Sequence, residues 1–177
     1  MRKKKILTSD DVQAGIEKIS QEIMEKRPEL NNLALVGILT RGPLICERIA
    51  KRIKSQKKVK PKTGVLDTRP YRDDISENLA YDKTKIGFKV DGLDVILVDD
   101  VLSSGRTMRA AMDAILKHGR PNTIRTAVLV ERGHRELPIS CDFLGWEIPT
   151  SSKEKIKVKL AEVDGKDEAV VVEPKKG

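Results

Sequence analysis

Asp99 and Asp100 follow four consecutive apolar residues, Val95, Ile96, Leu97 and Val98, and precede Val101, Leu102, Ser103, Ser104, Gly105, Arg106 and Thr107. An apolar run of this kind reads as a buried strand of a parallel sheet, here ending in two carboxylates. The small residues and the glycine then form a tight turn into a helical pattern that ends near residue 118. Backbone N–H groups and hydroxyls of such a turn can wrap a phosphate monoester, and the helix dipole favours negative charge there. The two carboxylates can accept hydrogen bonds from a vicinal diol. The ligand these groups suit together is a ribose 5-phosphate. An Asp-Asp pair alone could simply cap a helix; the strand, turn and helix in order are what give the pattern weight.

Two further segments carry candidate chemistry. Gly37 and Gly42 bracket Thr40 and Arg41 in a way that looks like half a nucleotide-binding P-loop. Pro43 and Leu44 stand where Lys and Ser or Thr would be required, which excludes an NTPase. What remains is a strand-to-helix turn in which Arg41 is a fixed cation able to engage two oxygens, or a plain helix entry with a surface arginine. Asp67-Thr-Arg-Pro-Tyr-Arg-Asp-Asp74 opens a long polar stretch, residues 69–85, that lacks periodicity and reads as a mobile loop carrying Tyr71 and Arg72.

The elements that must position these residues follow from spacing and punctuation. Thr8 or Ser9 can cap a helix from residue 10 to about 27, with Val12, Ile16, Ile19 and Ile23 on one face. Pro28, Asn31 and Asn32 end it. Residues 33–39 read as an apolar strand and 43–53 as a helix with proline at its first position. Strands are expected over about 63–67, 95–98 and 123–130, and a helix over 106–118. Asp91-Gly92 is a hairpin signal. Residues 139–146 look irregular. Two late strands, 156–162 and 169–173, flank Asp164-Gly165 as an edge hairpin. The sum is an α/β fold: a doubly wound, mostly parallel sheet with helices on both faces and the ligand at the carboxyl ends of the strands.

At 177 residues the chain is expected to be one domain, with residues 173–177 a basic tail. Its 38% hydrophobic content argues against disorder, and no apolar run approaches the ~20 residues of a membrane span. The basic start lacks the apolar stretch of a signal peptide, so a cytoplasmic location is the default. Cys46 and Cys141, with two histidines in the chain, support neither a disulfide framework nor a zinc site and suit core or near-core positions. The net charge is +8, and residues 51–62 hold seven basic residues without an acid. Such a run is most often a solvated face, though it also suits polyanions such as RNA at low salt. With 3% aromatic residues, no stacking platform for single strands is available.

The string from Val95 to Thr107 closely resembles the phosphoribosyl pyrophosphate (PRPP) motif of type I phosphoribosyltransferases. With Asp67-Thr-Arg-Pro-Tyr-Arg-Asp-Asp74 and Val128-Leu-Val-Glu-Arg-Gly-His-Arg-Glu-Leu-Pro-Ile139, the chain resembles the PyrR family over nearly its whole length. Members of that family are pyrimidine operon attenuation regulators that are also uracil phosphoribosyltransferases. The resemblance implies the type I phosphoribosyltransferase fold, with Mg²⁺ carried mainly by PRPP and water, without direct protein ligands. It implies that Asp99 and Asp100 orient the ribose and that residues 101–107 hold the 5-phosphate. Thr40, Arg41 and Gly42 would bind pyrophosphate, with an unusual peptide bond in that loop. Tyr71 and Arg72 would close over the leaving group, where water would otherwise intercept the oxocarbenium-like charge.

The base follows from the same comparison. In 6-oxopurine enzymes the residue after the two acids and two apolar positions is typically Asp; here it is Ser103, which cannot act as acid or base at neutral pH. Ordinary uracil phosphoribosyltransferases replace the second acid with proline, and Asp100 departs from that. Val130, Glu131 and Arg132 would then recognise uracil, through main-chain groups or with Glu131 accepting from N3–H; Glu131 could equally cap a surface turn. His134 and Arg135 match the family's RNA-binding region. RNA-binding members usually carry Thr and His where Glu17 and Gln21 align, and basic residues where Ser140 and Trp146 stand. Loss of basic contacts weakens RNA binding, and Glu17 would repel phosphate.

Expected partners are therefore PRPP, uracil, UMP and pyrophosphate, with a pyrimidine-operon mRNA leader and a homodimer or higher assembly. Two other readings stay open: a nucleotide-sensing RNA-binding regulator without catalysis, and a purine phosphoribosyltransferase, disfavoured by Ser103.

Overall fold

The computed structural model describes residues 3–27, 29–74 and 81–173. Pro28, the centre of the expected loop (75–80) and most of the basic tail (174–177) lie outside them.

Five parallel strands form the main sheet: β2 (Leu33–Ile38), β3 (Lys62–Leu66), β4 (Asp94–Leu102), β5 (Thr123–Glu131) and β6 (Phe143–Glu147), in the order β3-β2-β4-β5-β6. Alternate residues face opposite layers. Leu33, Leu35, Ile96, Val98 and Leu129 pack against α1 (Ser9–Lys26) and α2 (Gly42–Lys57). Ala34, Val36, Val95, Leu97 and Val128 pack against α3 (Arg106–Leu116). Burial on both faces is why these strands read as continuous apolar runs.

Helix α1 starts as its sequence dictates. Thr8 Oγ1 accepts from the N–H of Asp11 at 3.3 Å, and Asp11 Oδ2 accepts from the N–H of Thr8 at 2.8 Å, a reciprocal capping box.

A second, antiparallel sheet has the order β1-β8-β7, from β1 (Lys3–Leu7), β7 (Lys155–Lys159) and β8 (Glu168–Val172). Its apolar side, Leu7, Ile156, Val158, Ala169 and Val171, joins the core beneath α1 and α2. A short helix, α4 (Ala161–Asp164), connects β7 to β8.

Three expectations are corrected, and one strand, β1, was not expected. Residues 143–147 are strand β6, not irregular; Phe143 is buried, Leu144 and Trp146 are only partly covered and Glu147 is exposed, so the edge strand lacks a strong apolar run. Residues 3–5 of the lysine-rich start form a strand, stabilised by pairing to β8 and invisible to apolar patterning; its exposed lysines guard an open edge. The late hairpin exists, but in the second sheet, and β7 ends before residues 161–164 turn helical. Asp91-Gly92 is no hairpin. It is a turn tied to the segment before β5: Gly92 N–H donates to Arg120 O at 3.0 Å, and Asn122 N–H donates to Leu93 O at 2.8 Å.

Candidate active site

The strand order reverses between β2 and β4, because β2 leads to β3 on one side while β4 leads to β5 on the other. Ligands of open α/β sheets bind outside the carboxyl ends of the strands at such a point. Thr40, Arg41 and Gly42 follow β2; Asp67 follows β3; Asp99 and Asp100 close β4; and Glu131 closes β5.

Close packing builds the first turn. A Cβ on Gly42 would lie 2.4 Å from Val98 O, and one on Gly37 would lie 2.4 Å from the Pro43 backbone. Only glycine lets α2 start this near the end of β4. The Leu39–Thr40 peptide bond is cis. Arg41 lies close enough to Asp100 to feel its charge, and its guanidinium is engaged by Asp164 of α4: Nε donates to Oδ2 at 3.2 Å and Nη2 to Oδ1 at 2.8 Å.

Asp99 is buried and Asp100 partly so, and Asp100 N–H donates to Asp99 Oδ1 at 2.9 Å. Burial first, then the neighbouring Asp100 charge, pushes the Asp99 carboxyl well above the ordinary carboxylate range; burial also raises Asp100, opposed by its hydrogen bond with Asp99 and by Arg41.

The phosphate turn is shaped by Gly105, whose φ of 91° is open to glycine and places it as the N-cap of α3. Ser104 Oγ accepts from Arg106 N–H at 3.3 Å, and Ser104 O accepts from the N–H groups of Glu136 and Leu137 at 3.0 Å each. Ser103 Oγ donates to Gly133 O at 3.2 Å and so braces the turn.

The loop after β3 reaches this turn. Arg72 Nη1 donates to Thr107 Oγ1 at 2.6 Å, Arg72 feels the charge of Asp99, and Tyr71 O accepts from Arg109 Nη2 at 2.6 Å. Both described ends of the expected mobile loop are pinned, by Asp67. Its carboxylate accepts from Arg69 Nε at 2.8 Å, Arg69 N–H at 3.1 Å and Lys83 N–H at 3.1 Å, and the Arg69 side chain holds its pKa down at about 2.

Glu131 and Arg135, assigned by resemblance to base and RNA, are bound to each other. Arg135 Nη2 donates to Glu131 Oε1, and Nη1 donates to Ser103 O. Arg135 therefore links the end of β5 to the phosphate turn. His134, at a φ of 63°, places Nε2 2.6 Å from Thr150 O, and Arg132 Nη1 donates to Thr150 Oγ1 at 3.1 Å and Glu154 O at 2.7 Å. The main chain is also committed: Arg132 N–H donates to Leu102 O at 3.1 Å and Glu131 O accepts from Ile148 N–H at 2.8 Å. Val130 is buried in the sheet beside β6.

The positions that depart from RNA-binding relatives have other tasks. Trp146 Nε1 donates to Asp11 O at 2.8 Å and the ring packs on Gly15; Glu17 is paired with Arg52; Gln21 bonds Glu25 at 2.8 Å; and Ser140 O accepts from Thr126 Oγ1 at 2.9 Å. The sequence marks neither Arg109 nor Asp164 as a residue of the site, because nothing local signals a contact made across the fold. Both cysteines sit where expected, Cys46 buried and Cys141 half-buried, and burial pushes their thiols up to about 12 and about 11.

This arrangement defines a phosphoribosyltransferase, and comparison with known proteins agrees. The profile described as "Phosphoribosyl transferase domain" matches residues 3–162. "Bifunctional protein PyrR" of Streptococcus thermophilus (strain CNRZ 1066) is 47% identical over 174 residues, covering 98% of this chain and 99% of the relative. That of Microcystis aeruginosa (strain NIES-843) is 48% identical over 164 residues, covering 92% and 93%. The chain belongs to the PyrR family of type I phosphoribosyltransferases. The fold is shared more widely. A hypoxanthine phosphoribosyltransferase of Staphylococcus aureus superposes with a TM-score of 0.72 at 17% identity, covering 97% of this chain and 93% of that one. A hypoxanthine-guanine phosphoribosyltransferase of Bacillus anthracis does so with 0.71 at 18%, covering 97% and 100%.

Proposed function

We propose that the protein transfers the phosphoribosyl group of PRPP to uracil, forming UMP and pyrophosphate. The observation that carries this reading is the meeting of three segments at one end of the sheet: Arg72 bonded to Thr107, Arg41 beside Asp100, and Asp99 within the field of Arg72. In the reaction the bond from ribose C1 to pyrophosphate breaks, one from C1 to uracil N1 forms, and the N1 proton leaves to pyrophosphate or water. Asp99 and Asp100 orient the ribose hydroxyls, while Ser103, Ser104, Gly105, Arg106 and Thr107 hold the 5-phosphate. Thr40, Arg41 and Gly42, with Tyr71 and Arg72, receive the pyrophosphate and offset its charge. Rate comes from positioning and electrostatics, without a covalent intermediate.

At the base end, the committed main chain leaves Glu131 Oε2 as the free acceptor on a carboxylate that Arg135 orients, and uracil N3–H is its natural donor. The described residues contain no cluster of three or more His, Cys, Asp or Glu able to cage a metal. Asp99 and Asp100 would face the ribose hydroxyls of an Mg²⁺–PRPP complex, and the ion would supply screening of the pyrophosphate charge.

The wider reading includes a pyrimidine-operon mRNA leader as a partner, UMP as the signal, a homodimer or higher assembly, and one domain in the cytoplasm. No helix among the described residues is long and apolar enough to cross a membrane. The test is transfer of labelled base onto PRPP with Mg²⁺, comparing uracil, hypoxanthine and guanine. UMP from uracil alone, lost in Asp100→Ala, supports the proposal. Transfer to a purine, or nucleotide binding without transfer to any base, overturns it.

A further inference from the structure

The basic run 51–62 takes no part in the site described above. Lys51, Lys54, Lys57, Lys58, Lys60 and Lys62 are exposed, and none of them has an ion pair among the described residues. The arginines around the catalytic turns are occupied: Arg41 by Asp164, Arg72 by Asp74, Arg106 by Asp73 and Glu136, Arg135 by Glu131. Among the described residues, these six lysines therefore form a run of positive charge with no ion-pair partner.

Their placement is regular. Lys51, Lys54 and Lys58 lie three and four residues apart, so they share a face of α2 and its cap. With Ser55 they line a shallow depression of about 360 Å³. It adjoins a groove of about 570 Å³ that shares Lys51 and Ser55. The acids of that groove are neutralised, Glu17 by Arg52, and Glu162 and Asp167 by Arg48. Basic residues near a helix C-terminus also complement its dipole. That accounts for Lys54 and Lys57, but not for Lys51, a turn earlier, or for Lys60 and Lys62 beyond the helix.

The chemistry of the partner follows from spacing and from what the surface lacks. Seven residues of helix span about 10 Å, and a duplex strand presents a phosphate every ~3.4 Å of its axis. The three ammonium groups thus match about three phosphates in a row. A lipid surface fits poorly, because interfacial helices insert an apolar face, and that of α2, Ile45, Ile49 and Ile53, is fully buried in the core. Single strands would need aromatic platforms, and none lines either depression.

We propose that this face of α2, with Lys60 and Lys62, binds the phosphodiester backbone of a nucleic-acid duplex. The choice of RNA as first probe rests on the RNA-binding part of the reading above; the surface itself does not. It lies apart from His134 and Arg135, which bond Thr150, Glu131 and Ser103.

The experiment is fluorescence anisotropy with a labelled RNA hairpin of about 16 base pairs, the length one double-stranded RNA-binding module spans. Binding is titrated from about 50 to 200 mM salt, the range over which phosphate contacts show most clearly. The variant K51Q/K54Q/K58Q is compared with K3Q/K4Q/K5Q, which removes equal charge from β1. Losing three phosphate contacts lowers the magnitude of the log–log salt slope by about 2 to 3 and weakens binding about tenfold or more at low salt. The β1 variant leaves the slope near wild type. Equal loss in both variants, no loss in the α2 variant, or no binding by the wild type at low salt overturns the proposal. Duplex DNA bound as tightly as RNA supports it with DNA as a source; binding to anionic vesicles but to neither duplex overturns it. UMP formation is assayed on the same samples and stays at the wild-type rate in the α2 variant. A failure of the transferase reading therefore appears in a different assay.

Discussion

Arg41, on the turn after β2, and Asp164, at the end of α4, are joined by two hydrogen bonds across 123 residues of sequence. Asp164 Oδ2 also accepts from Leu160 N–H at 2.9 Å, and Arg48 holds the same connection through Glu162 and Asp167. The small second sheet thereby fixes the cation assigned to pyrophosphate, leaving Nη1 outside the pair.

Asp164→Asn keeps an acceptor for Leu160 but removes the charge and the bidentate geometry. The expected result is a KM for PRPP raised about tenfold, the equivalent of ~1.4 kcal/mol, with the KM for uracil and the melting temperature nearly unchanged. Steady-state kinetics varying each substrate in turn check it; equal rises in both KM values would mark a merely structural effect.

Asp99→Asn separates activity from stability. With the folded pKa raised by burial and by Asp100, ionisation costs the native state; the penalty is full above the folded pKa and disappears below the unfolded one. The variant is expected to lose transfer activity about 100-fold while melting ~3 °C or more above wild type near pH 7.5, the shift that ~1 kcal/mol gives a chain of this size. That gain shrinks as pH falls toward 4. Thermal melts across pH, paired with activity, check both halves.

Asp67 has the opposite sign. Its pKa of about 2 lies below the ordinary aspartate value of 3.8, so the carboxylate contributes stability above pH ~4 that is lost as pH falls toward 2. Asp67→Asn is expected to lower the melting temperature at neutral pH, with the difference closing below pH 4. It also frees the ends of the loop at Arg69 and Lys83, so limited proteolysis between them should quicken.

Gly42→Ala tests the close approach of α2 to β4. With Val98 O 2.4 Å from the new Cβ, backbone must move, and destabilisation of about 1–3 kcal/mol is expected. Loss of pyrophosphate binding should accompany it. Chemical denaturation and pyrophosphate titration provide the two readouts.

Much of this protein was readable before its fold was known. Strands β2, β4 and β5 are buried on both faces, so their apolar runs announce them, and the turn after β4 is continuous in sequence from Val95 to Thr107. The capping box at Thr8 and Asp11 is equally local. Strands β1 and β6 were not readable, because β1 owes its existence to pairing with β8, and β6 carries the mixed burial of an edge.

The residue types at the site, and hence its class of chemistry, were therefore set by stretches of at most a dozen residues. Partnership was not. Arg41 with Asp164, Arg72 with Thr107, and Arg135 bridging Glu131 to Ser103 are long-range or geometric facts. A charged side chain reveals its type to a reader of sequence, but whether it faces a substrate, another residue or water depends on what the folded chain brings within about 3 Å of it. The tertiary structure thus decided which cations are already occupied, and left the lysines of α2 without an ion pair among the described residues.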